Sequence, residues 1–165
     1  MAEEEVTANN EQEQIEQKFV LQRIYVKDLS FESPGAPTVF MQEWKPAMNV
    51  DLNTKSGLVG GDDFEVVLTI TITAKLNDET AYLIEVQQAG IFHIKGIEGD
   101  DLRRILATVC PNMLFPYARE TIDGVITKGT FPALMLAPVN FDALFQQALK
   151  QAEEEGNVPA GETTQ

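Results

Sequence analysis

Three side-chain types are scarce in this chain of 165 residues: one cysteine, one histidine and one tryptophan. Each scarcity excludes something. Cys110 alone cannot form a disulfide within a subunit, and with His93 as its only companion it cannot build a Cys/His metal cluster. No apolar run approaches the roughly 18 residues that cross a bilayer. The start, Met1, Ala2, Glu3, Glu4, Glu5, lacks the basic opening and apolar stretch of a secretory leader. The expected location is therefore the cytoplasm, with no membrane insertion. Positive charge is short too: 12 basic residues face 26 acidic ones, for a net charge of -14. No Lys or Arg occurs in residues 1–17 or 151–165, whereas Glu3, Glu4, Glu5, Glu11, Glu13 and Glu16 mark the first and Glu153, Glu154, Glu155 and Glu162 the second. Both ends read as acidic disordered tails around an ordered domain at 18–150. A field of this sign repels phosphate backbones and anionic lipid, so no nucleic acid is expected as a partner and basic partners are favoured.

Constellations that carry chemistry are missing as well. His93 has no serine, cysteine or second histidine at the spacing of a relay, and reads as a structural histidine. Cys110, followed by Pro111, reads as a small buried hydrophobe. Asp62, Asp63 and Glu65 beside Gly60-Gly61 lack the ligand spacing of a calcium loop, and Gly57, Gly60 and Gly61 lack the lysine of a phosphate loop. No enzyme, cofactor or metal is expected.

What is present is a pattern of strands followed by helices. Residues 19–27 are rich in β-branched and aromatic types but sort cleanly onto neither face. Pro34 and Pro37 then force a long connection carrying Phe40, Met41 and Trp44, before a short strand at 48–52. Residues 65–75 alternate clearly, with Val66, Leu68, Ile70, Ile72 and Ala74 on one side. Turn formers at Asn77 to Thr80 lead into a strand at 81–94, whose inner side holds Tyr82, Ile84, Val86, Phe92 and Ile94. Leu83, Glu85 and Gln87 face outward. Leu102, Ile105, Leu106, Val109, Met113 and Leu114 then recur at helical spacing, with a break expected near 110–117 from Pro111 and Pro116. Helix resumes over 118–125, residues 131–138 form an extended apolar connector, and Asn140 caps a last helix. The class is α+β: a four-stranded antiparallel sheet followed by two helices.

The apolar surplus lies in places that a lone subunit struggles to hide. The loop with Phe40, Met41 and Trp44, the connector with Phe131, Leu134 and Met135, and the broken helix have two readings: they line a groove that adapts to varied side chains, or they simply pack on the core. Burying roughly 400 Å² of ligand in such a groove yields on the order of 10 kcal/mol gross, most of it lost to ordering, so several grooves in an oligomer are needed.

The run Cys110-Pro111-Asn112-Met113-Leu114-Phe115-Pro116-Tyr117-Ala118-Arg119-Glu120 resembles the most distinctive segment of the SecB family of bacterial protein-export chaperones. Glu85-Val86-Gln87-Gln88, Gly90-Ile91-Phe92, Gly96-Ile97-Glu98-Gly99, Gly129-Thr130-Phe131-Pro132 and the run from Leu136 to Leu144 are similar to it in order. The resemblance implies a dimer of dimers, a homotetramer, that binds unfolded precursor polypeptides without ATP and delivers them to the SecA ATPase. It implies a SecA contact at Asp28, Glu32, Leu83 and Glu85. Its client groove would take in Phe40, Met41, Trp44, Phe131, Leu134, Met135, Leu144 and Phe145. Ile84, Val86 and Gln88 match positions where the family's subunit contacts and client binding are sensitive, and the broken helix, with Cys110 and Leu114, is similar to the one that mediates tetramer assembly, so these five are expected at the oligomer interface. The family also includes chaperones dedicated to one partner such as an antitoxin, which is the alternative reading.

Overall fold

In the computed structural model, which describes residues 15–156, four long strands precede three helices. The strands are β1 (Lys18–Glu32), β2 (Ala47–Gly60), β3 (Asp63–Leu76) and β4 (Glu79–Lys95); the helices are α1 (Gly99–Ala107), α2 (Val109–Lys128) and α3 (Phe141–Gly156). All three strand pairings are antiparallel, in the order β1-β4-β3-β2. β2, β3 and β4 form a meander. β1 joins it on the far side, so residues 33–46 must carry the chain from one edge of the sheet to the other.

Each departure from the expected strands has a physical cause. β1 runs on to Glu32, and its pairing with β4 shifts register between Leu21 and Arg23 and again between Val26 and Asp28. Each shift inserts one residue and reverses the in/out alternation, which is why no face could be read from its sequence. β2 is 14 residues long rather than a short strand. It is an edge strand whose apolar alternation fades after Leu52, and the backbone ladder to β3 carries it on to Gly60. Between β3 and β4, Asn77 and Asp78 both have positive φ, 50° and 64°, as the twist of a two-residue hairpin requires of non-glycine residues suited to it.

α2 lies over β3 and β4, α1 touches β2, and α3 packs on α1 and α2. Beneath α2, Val66, Leu68, Ile70, Ile72, Tyr82, Ile84, Val86 and Phe92 are fully buried. Gly90 permits the close approach: a Cβ there would stand 3.0 Å from Leu114 Cδ2 and 3.1 Å from the Arg23 carbonyl oxygen. The break in the long helix falls at Thr108 (φ -124°, ψ -62°), earlier than expected. Pro111 sits in the first turn of α2, where its missing amide costs nothing; in an unbroken helix its ring would crowd the carbonyl of Ala107, four residues back, and the break at Thr108 avoids this. Pro116 is accommodated inside α2. α3 opens as expected, with Asn140 Oδ1 accepting the Ala143 amide at 3.0 Å. It continues to Gly156, so residues 151–156, expected as tail, are helical. The tail expectations for 1–14 and 157–165 lie outside the described residues. No described helix is long and apolar enough to cross a membrane.

The five residues expected to bear on subunit contacts lie together inside the subunit. Ile84, Val86, Cys110 and Leu114 are fully buried and Gln88 nearly so, at the seam between β4 and α2. The Gln88 side-chain amide donates to the Tyr25 carbonyl oxygen at 3.1 Å.

Candidate functional site

Two surfaces emerge, one apolar and one acidic. The apolar one starts at the crossing segment, where a short 3-10 turn, Thr38–Met41, buries Val39 and turns Phe40 and Met41 outward. Met41 is 87% exposed. Trp44 stacks on Tyr82 with ring centres 6.1 Å apart and meets Phe131 at 5.3 Å; Phe131 also touches Phe40 at 5.3 Å and Tyr82 at 4.8 Å. This cluster ties the crossing segment, β4 and the connector after α2 together. Phe131 is thereby buried, a foundation of the surface more than a face of it. Leu134 packs against the core, while Met135 is 62% exposed at a positive φ of 51°.

The structure does not bring all eight expected groove residues into one wall. Leu144 and Phe145 sit on α3, which is anchored by Phe141 edge-on against Phe115 (6.2 Å) and by Asp142 near Arg104 (3.4 Å). The apolar stripe of α3 is otherwise largely open, with Leu144 and Leu149 exposed. Between the connector and the outer side of α2 lies a cavity of about 830 Å³, bounded by Phe115, Pro116, Arg119, Asp123, Met135 and Val139 among others. A second cavity of about 430 Å³ shares Asn112, Pro138 and Val139 with it, so the two form one trough reaching the start of α3. Of the expected groove residues only Met135 lines the larger cavity. The α2 wall was missed because Asn112, Pro116, Arg119, Asp123 and Thr127 mix polar and apolar types. Their recurrence at three and four residue steps along one helix side was the available clue.

The acidic surface is the open face of the sheet. Register pairs Glu32 with Leu83 and Thr73, Ser30 with Glu85 and Thr71, and Asp28 with Gln87 and Thr69. Directly opposed residues share a face, so Asp28, Glu32, Leu83 and Glu85 are brought together on the outward side. β2 adds Asp51 opposite Thr71, in the row of Glu85, a carboxylate the weak alternation of that strand concealed. The Thr71 hydroxyl donates to Glu85 at 3.0 Å. The other half of this face is closed by polar bridges. Lys27 Nζ lies 2.6 Å from Glu65, and the Tyr25 hydroxyl donates to the same carboxylate, both reaching across β4 where Ala89 is small. These hydrogen bonds, Lys27 first and then Tyr25, hold the Glu65 carboxyl below its usual range. Burial and the Glu65 bond push Tyr25 up to about 12.

His93 Nδ1 is 2.8 Å from Asp63, which also accepts from Gln22. Cys110 is buried, and burial pushes its thiol up to about 12, so it stays protonated at neutral pH. Among the described residues no three His, Cys, Asp or Glu side chains gather as metal ligands would.

The profile of the family described as "Preprotein translocase subunit SecB" matches residues 11–152. The chain is 57% identical to the protein-export protein SecB of Marinobacter nauticus, over 94% of this chain and 93% of that protein. It is 59% identical to that of Hahella chejuensis, over 87% and 91%, and 53% identical to that of Pseudomonas fluorescens, over 96% and 98%. Its fold is shared by a SecB-like chaperone of Mycobacterium tuberculosis solved with a peptide from the HigA1 antitoxin (TM-score 0.60, 17% identity, 74% of this chain and 88% of that one).

Proposed function

The chain belongs to the SecB family and is a protein-export chaperone, and from that premise we propose that it is an ATP-independent holdase of the cytoplasm that hands its clients to SecA. The family binds unfolded polypeptides. The observation that carries the reading for this chain is the apolar surface left open on a well-packed subunit: Phe40, Met41 and Leu144 are exposed, and Met135 is exposed over a cavity of about 830 Å³. Side chains of this kind adapt to many sequences, as a chaperone for varied precursors requires. Phe40, Met41, Trp44, Phe131, Leu134, Met135, Leu144 and Phe145 form or support the client surface, with the α2 wall added to it.

SecA docks on the acidic half of the open sheet face, at Asp28, Glu32, Leu83 and Glu85. Four carboxylates, Asp51 included, share this face with one leucine, a combination suited to a basic partner with an apolar contact. Assembly into a dimer of dimers is supported by apolar side chains that α2 leaves uncovered on the edge strands: Val26 and Leu29 on β1, Met48 and Val50 on β2.

The test is a refolding assay with a slow-folding precursor, run beside a SecA binding titration. Wild-type protein in excess should delay refolding without ATP. Glu85→Lys should delay it equally while its SecA affinity falls about tenfold or more. No delay would refute the holdase reading, and unchanged SecA affinity would refute the docking surface.

A further inference from the structure

The connector between α2 and α3 carries no regular structure over residues 131–140, yet it bends at defined points. Its first anchor is the buried Phe131 ring, together with the Phe131 amide donating to the Ile126 carbonyl oxygen at 3.2 Å. Its last is the Asn140 cap of α3. Between these anchors the backbone is held by a side chain of α2. Asp123 Oδ1 accepts the amides of both Leu134 and Met135, at 3.0 and 3.2 Å. Met135 is the residue at positive φ, a conformation a methionine keeps only when its surroundings impose it. Asp123 also lines the cavity that Met135 overhangs, with Gly124 next to it adding no side chain to the floor.

We propose that Asp123 is a positioning residue for client binding: by gripping two consecutive connector amides on one carboxylate oxygen, it fixes the bend that sets Met135 over the trough. This rests on the holdase reading, since it assigns the trough and connector to clients. A carboxylate that accepts two amides is a stronger clamp than a neutral acceptor. With the bend already made, an incoming chain meets a formed wall and does not bear the cost of ordering it. Freed from Asp123, the connector would sample other conformations and Met135 would leave the left-handed region.

The test uses full-length protein and a short dye-labelled peptide rich in leucine, phenylalanine and lysine, titrated against wild type, Asp123→Ala and Asp123→Asn. Wild type should bind. Asp123→Ala should bind about tenfold more weakly, and Asp123→Asn, which keeps an acceptor oxygen, should stay within about threefold of wild type. Hydrogen exchange at the Leu134 and Met135 amides should quicken in the alanine variant and be largely restored in the asparagine variant. Amides in the buried β3 and β4 should exchange as in wild type in all three, which separates a local clamp from loss of fold. Failure of wild type to bind would remove the holdase reading and this inference with it. Binding by wild type with equal or tighter binding by Asp123→Ala, or unaltered exchange at the two amides, would overturn the inference alone.

Discussion

Glu65 shows how much of the open sheet face is set by single side chains. It takes hydrogen bonds from Lys27 and Tyr25, two strands away, and its carboxyl is held below the usual range. The unfolded chain therefore binds more protons than the folded one between the two values. Stability from this group is fully present above the ordinary carboxylate value and is lost as pH falls through the folded value. Lys27 is half exposed, so solvent screens the pair. Glu65→Gln should cost about 1 kcal/mol at neutral pH, shrinking toward nothing in acid, when denaturant unfolding is followed across a pH series. A difference independent of pH would show that the ionised bridge is not its source. Of the candidate site residues, Leu83 and Glu85 were legible as outward-facing because β4 alternates cleanly from Tyr82 to Gln88. Asp51 was not, because an edge strand has little burial to impose a pattern. Asp123 was not, because its role depends on a connector whose path no local rule dictates.

The best-specified elements are the ones that bury most. β3 and β4 were readable from alternation because α2 seals one face of them, and α3 from its cap and stripe. β1 was not, because two bulges reverse its alternation, and the helix break was placed late because the crowding from Pro111 acts one turn before the proline itself. Packing between elements depends as much on an absence. Gly90→Ala should lower stability by about 1–3 kcal/mol, because the added carbon would meet Leu114, Phe92 and the Arg23 carbonyl oxygen at 3.0–3.1 Å in a closed seam. Gly57→Ala, on β2 with open space around it, should be close to neutral in the same denaturant measurement. Equal effects at both glycines would mean that the α2–β4 seam is not tightly packed.

As a whole the subunit buries its central strands thoroughly and leaves its margins greasy: the β1 and β2 edges, the crossing segment, the connector and α3. The crossing of residues 33–46 from β1 to β2, which makes the sheet order β1-β4-β3-β2, has no signature in local propensity. A net charge of -14 keeps such a particle soluble despite its exposed apolar groups and favours basic partners. On the proposed function these margins are working surfaces, some joining copies of the chain and some holding clients. Native mass spectrometry of the purified protein, alone and with an unfolded precursor, tests this most directly. The expected result is a four-subunit mass that gains one precursor and loses it once the precursor has folded. A single-subunit mass, or a tetramer that takes up folded and unfolded precursor alike, would contradict it.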